Sequence, residues 1–124
     1  MLRTCAAILR AYGWRVFRRN TGAMAAVYNG KRRYVRFAEK GQADLYGWIP
    51  GVRGGPARPF ECEIKRPGSA PRVDQMDWLR RCSRDGVVAF WVDGSAACHE
   101  IASCVSHGGE VVWTDGAGFR VIGR

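Results

Sequence analysis

The chain has 124 residues, nearly half hydrophobic and a quarter charged, which fits one globular domain and excludes a disordered or low-complexity polymer. Its 20 Lys and Arg outnumber 11 Asp and Glu to give a net charge of +9, and ten of the basic residues but only one acid, Glu39, lie in the first 40 positions. Such a basic excess points to an acidic partner, above all a phosphate backbone. No apolar run nears the roughly 20 residues of a membrane span, and Cys5 to Leu9 is too short for a signal-peptide core. Five scattered cysteines without a C-x-x-C pair suit reduced thiols, so a cytoplasmic protein without a membrane partner is expected.

In chain order, Leu2, Cys5, Ala6, Leu9 and Tyr12 recur at helical spacing and predict an amphipathic helix over 2–12 that ends at Gly13. From Trp14 the period changes to two. Asn29-Gly30, between Ala23–Tyr28 and Lys31–Phe37, is a strong hairpin signal. Leu45–Ile49 reads as a short strand, 50–59 as an exposed loop with three glycines and three prolines, and Phe60–Lys65 as a strand halted by Arg66-Pro67-Gly68. Pro71–Asp85 predicts a second helix, Val87–Val92 a strand buried on both faces, and Ala96–Val105 a third helix. Two short strands follow, at Glu110–Thr114 and Gly118–Ile122, around Asp115-Gly116. The order predicts an α/β sandwich around a mixed central sheet.

The strand Phe60–Lys65 is the most informative segment. Alternation sends Phe60, Cys62 and Ile64 one way and Glu61, Glu63 and Lys65 the other, so one face is apolar and one ionic. An edge strand with a solvated face would give the same pattern. Antiparallel pairing of Leu45–Ile49 with this strand would bring Asp44 alongside Glu63, and two adjacent carboxylates repel unless protonated or bridged by a hard cation such as magnesium. On the next helix Gln75 shares a side with Trp78, Leu79 and Cys82. An unpaired buried amide costs about 1 to 3 kcal/mol, so Gln75 is expected to find a polar partner, the ionic strand face being the nearest supply, or else backbone. Together these residue types suit phosphodiester hydrolysis: Asp44 and Glu63 to hold a divalent ion, and Lys65 to orient the attacking water or meet charge on the phosphate.

The ordered set Arg19-Asn20-Thr21-Gly22, Arg36-Phe37, Lys40-Gly41-Gln42-Ala43-Asp44-Leu45, Glu63-Ile64-Lys65-Arg66-Pro67-Gly68, Gln75 and Gly86 to Val92 resembles a stand-alone VRR-NUC domain, a branch of the PD-(D/E)xK nucleases frequent in phages. The resemblance implies a restriction-endonuclease-like αβββαβ core and hydrolysis of DNA with magnesium or manganese. It further implies metal binding by Asp44, Glu63 and the backbone carbonyl of Ile64, catalysis by Lys65 with Gln75 as accessory, and a homodimer that cuts branched DNA such as four-way junctions. If phage-encoded, the protein would work in the host cytoplasm. Three features depart from the pattern, one of them Ala43, which stands before the aspartate where relatives more often have proline or serine. Many relatives carry a glutamate on the first helix, where this chain has no acid before Glu39, and Glu61 stands where relatives have a small or aliphatic residue. Glu61 is therefore expected either to add a ligand or to face solvent.

Arg15, Arg18, Arg19, Asn20, Lys31, Arg32, Arg33, Arg36 and Arg66 are the candidate DNA contacts. Trp48, near Asp44, is the tryptophan best situated to touch substrate, the others being expected in the core. Cys98, His99, Cys104 and His107 do not match a zinc spacing. A non-catalytic basic DNA-binding protein is the alternative to the nuclease. An RNA-binding module would want exposed aromatics on a sheet face, and the sequence displays no such ordered pattern.

Overall fold

The computed structural model describes residues 1–19, 23–28, 31–36, 40–114 and 118–123, with only the backbone course given for 23–28 and 31–36. Helix α1 (Leu2–Ala11) leads into strand β1 (Arg15–Arg18), the hairpin β2 (Ala23–Tyr28) and β3 (Lys31–Arg36), and β4 (Leu45–Ile49). Then come β5 (Arg58–Ile64), α2 (Val73–Arg84), β6 (Val88–Val92), α3 (Ser95–Ser106), and the hairpin β7 (Glu110–Trp113) and β8 (Phe119–Ile122). The expected elements are all present, with ends displaced by a residue or two. The strand containing Glu63 begins earlier than expected, because Arg58 and Pro59 extend the antiparallel ladder opposite Ile49 and Trp48. The intervening loop is shortened accordingly and holds a single 3-10 turn at Val52–Gly54. Of the two expected turns, Asn29-Gly30 and Asp115-Gly116, both lie outside the described residues.

The main sheet has the order β1-β4-β5-β6. β1 and β4, and β4 and β5, pair antiparallel, whereas β6 joins β5 in parallel after the α2 crossover. The strand with the ionic face is thus interior rather than at an edge. Its apolar side chains Phe60 and Cys62 pack with Leu45, Ile49, Val88, Phe90 and Val92 against α1 (Cys5, Ile8, Leu9) and α3 (Cys98, Ile101, Val105). Burying each such large side chain contributes about 1.5 to 3 kcal/mol before conformational entropy is set against it. Leu79 and Cys82 of α2 pack with Ala43 and Ala89 in a second, smaller cluster flanked by Trp78, Trp91 and Trp113. The sheet is therefore covered by α1 and α3 on one face and by α2 over β5 and β6 on the other.

Gly47 is what lets β1 approach β4. Its φ is +148°, and a Cβ there would fall 1.8 Å from the carbonyl oxygen of Arg15. Only glycine fits so close a backbone approach. Among the described residues no helix is long and apolar enough to cross a membrane.

Candidate active site

Continuing the register Leu45 opposite Cys62 by one residue sets Asp44 opposite Glu63. Asp44 sits in the bend just before β4, where its Oδ2 accepts a hydrogen bond from the backbone N–H of Ile64 at 3.0 Å. The approach to this bend is tightly made. Gly41, at φ +93°, packs on the first turn of α2, where a Cβ would lie 2.8 Å from the Asp74 carbonyl oxygen. On the other side, the Arg19 backbone N–H donates to the Asp44 carbonyl at 2.8 Å and its guanidinium to the Ala43 carbonyl at 3.0 Å.

Glu63 is only 3 % exposed. The Gln75 amide Nε2 donates to Glu63 Oε1 at 3.1 Å, and the Lys65 ammonium lies 3.7 Å from the same oxygen. Gln75 thus finds the strand partner that its place on an apolar helix face called for. Its own Oε1 accepts from the Arg72 backbone N–H at 2.9 Å, so the amide also ties off the first turn of α2. Glu63 Oε2 is buried and has no partner with hydrogen-bond geometry. Burial, followed by the nearby Asp44 carboxylate, pushes the Glu63 carboxyl up to about 8, while Lys65 and Arg72 pull the other way more weakly. At neutral pH the pair therefore carries less than its two formal negative charges.

Glu61 behaves differently from its neighbour. It is buried, and Arg19 grips both of its oxygens, Nη1 to Oε1 at 2.6 Å and Nη2 to Oε2 at 3.1 Å. The indole N–H of Trp78 donates to Oε1 at 2.8 Å. Glu61 does not face solvent: α2 covers this part of the sheet, and Arg19 pairs with both carboxylate oxygens from β1's end. The sequence signal for a partner on α2 is Trp78, an indole on the helix face that also carries Gln75.

Arg15, Arg18 and Arg66 are exposed, whereas Arg19 is turned inward to Glu61. Asn20 and the side chains of Lys31, Arg32, Arg33 and Arg36 lie outside the described residues. Trp14 is buried and donates to Ser106 Oγ, and Trp113 to the Ala89 carbonyl, as core tryptophans do. Trp48 is 44 % exposed, and so is Phe17. Phe17, Tyr46 and Trp48 form an exposed aromatic group on the sheet, contrary to the expectation that none exists; the strands carrying them are distant in sequence and meet only through the β1–β4 register. Cys98 is buried while His99 and His107 are exposed, and His107 Nδ1 contacts the Ser103 carbonyl at 2.6 Å. Among the described residues no three His, Cys, Asp or Glu side chains gather into a metal-holding group. All five cysteines are free.

The fold and site define a mixed α/β protein with a four-stranded mixed sheet between helices and a carboxylate pair at the junction of β4, β5 and α2. Compared with protein-family models, curated proteins and solved structures, the chain matches none.

Proposed function

We propose that this chain is a metal-dependent DNA endonuclease of the VRR-NUC kind, with Asp44, Glu63 and Lys65 as its catalytic residues and Gln75 as a positioning residue. The observation that carries this reading is the pairing of Asp44 with a buried Glu63 that has one oxygen unpartnered and a carboxyl held up near 8. A buried acid so destabilised as an anion fits a site that ionises when a cation arrives. Two carboxylates, with the Ile64 carbonyl, suit a hard ion such as magnesium or manganese. When bound, that ion would supply charge neutralisation on the scissile phosphate and acidification of water.

The chain's own residues account for the rest. Gln75 fixes Glu63 through Oε1 and leaves Oε2 uncommitted. The Ile64 N–H fixes Asp44 through Oδ2. Lys65, partly exposed and next to Glu63, offers a compact cation to the attacking water or to a phosphoryl oxygen. Exposed Arg15, Arg18 and Arg66 are available to the DNA backbone. The element order α1-β1-β4-β5-α2-β6 around the sheet accords with a restriction-endonuclease-like core, with β2 and β3 as an inserted hairpin. Homodimerisation and a preference for four-way junctions belong to the same proposal.

The test is incubation of purified protein with linear, flapped and four-way-junction DNA in magnesium or manganese, beside Glu63→Gln and Lys65→Ala. Cleavage by the wild type, lost in both variants while DNA binding persists, is the expected result. Wild-type binding with no cutting of any substrate makes the chain a DNA-binding protein instead.

A further inference from the structure

The sheet face that bears Asp44 and Glu63 continues across β4 and β1, beyond the cover given by α2. Strand alternation and the register Arg15 opposite Trp48, Phe17 opposite Tyr46 and Tyr46 opposite Glu61 set Arg15, Phe17, Tyr46 and Trp48 on that same face. Phe17 bridges the other two rings, its centroid 5.8 Å from that of Tyr46 at 34° and 5.6 Å from that of Trp48 at 36°. All three are exposed, Phe17 and Trp48 by 44 % each and Tyr46 by 36 %. The Arg19 guanidinium stacks 4.3 Å from the Tyr46 ring, which holds that ring in place.

We propose that Phe17, Tyr46 and Trp48 form a stacking platform for unpaired nucleobases of a DNA strand that runs on to the Asp44–Glu63 pair; this rests on the nucleic-acid reading above. Two features choose this occupant. The platform is flanked by exposed Arg15, and the one acid within it, Glu61, is already neutralised by Arg19, so the surroundings favour a polyanion. The platform is also continuous with the site: Tyr46 is two residues from Asp44 on one strand face, about 7 Å along the chain, and Trp48 about 14 Å. Flat rings beside arginines suit an aromatic ligand on a phosphate backbone, as in single-strand binding surfaces. A duplex keeps its base faces stacked away, so the platform favours DNA with an open strand near the cut, such as a flap, gap or unpaired junction arm.

The test is binding in EDTA, where cleavage plays no part. Labelled oligothymidylate, an abasic strand of equal phosphate number and a blunt duplex are titrated against wild type, Phe17→Leu and Trp48→Leu. The leucines keep apolar bulk and remove the ring, and circular dichroism checks that each variant is folded. Wild type is expected to bind oligothymidylate at least about ten-fold tighter than the abasic strand, with Trp48 fluorescence quenched, and each variant to lose most of that margin. Equal binding of the thymidylate and abasic strands, or a margin unchanged in folded variants, overturns the platform. Tighter binding of oligouridylate than of oligothymidylate overturns its assignment to DNA. A platform that behaves as expected in a protein that never cuts DNA sinks the nuclease reading alone, and cutting without a base-dependent margin sinks the platform alone.

Discussion

Arg19 and Glu61 meet in a two-pronged ion pair across the width of β4, the guanidinium passing over the Tyr46 ring to reach both carboxylate oxygens. Because Arg19 also holds the carbonyls of Ala43 and Asp44, the pair secures the bend from which Asp44 projects. Replacing Arg19 by alanine strands a buried carboxylate and should cost about 3 kcal/mol, the lower end of what breaking a buried pair costs, since Arg19 is partly exposed. Arg19→Lys should recover little of it, lacking the forked geometry. Urea denaturation measures both, and a loss below about 1 kcal/mol, the range of surface pairs, would contradict this account.

Glu63 makes the metal-free fold sensitive to alkali. Its folded-state value, raised to about 8 from 4.5, means that the folded protein holds the proton more tightly than the unfolded chain. The stabilisation is complete below the unfolded value and is lost as pH rises through the folded one, so the melting temperature in EDTA should fall between about pH 5 and pH 8. Glu63→Gln, which mimics the neutral acid, should lack this contribution and be the more stable protein at the alkaline end. Magnesium should raise the wild-type melting temperature there and leave Glu63→Gln unchanged. Parallel pH profiles of the two proteins would refute the shift.

Gln75 is expected to act through Glu63 rather than on the substrate. Gln75→Ala frees the carboxylate that the amide orients, and loss of such a supporting hydrogen bond typically lowers metal affinity or activity about 10- to 100-fold. Calorimetric titration of the metal should register a weaker site while affinity for DNA in EDTA stays unchanged. A fall in DNA affinity with unaltered metal binding would assign Gln75 to the substrate instead.

The arginines should separate by their salt dependence. Arg15→Ala, Arg18→Ala and Arg66→Ala each remove an exposed charge, and each one that meets a phosphate should flatten the plot of log affinity against log salt by about one unit of slope. Arg19→Ala, assayed under conditions where it is folded, should leave the slope as it is, because its charge is spent on Glu61 inside the protein. An equal change of slope in all four variants would place Arg19 on the DNA after all.

Local periodicity was enough to read most elements and half of the site. A strand repeats every two residues, so Glu63 and Lys65 had to share a face, and a helix repeats every 3.6, so Gln75 had to lie with Trp78, Leu79 and Cys82. Antiparallel pairing across the glycine-rich loop then brought Asp44 opposite Glu63. What periodicity does not contain is which segments distant in sequence lie against one another. Only the tertiary structure made the ionic strand interior, covered it with α2, and spent Arg19 on a glutamate 42 residues away. The aromatic face has the same origin, since Phe17 reaches Tyr46 and Trp48 through the β1–β4 register alone. The carboxylate pair that the sequence marked as a site is thereby joined to a neighbouring surface that no single stretch of chain encodes, because burial and long-range pairing are decided by packing of the whole molecule.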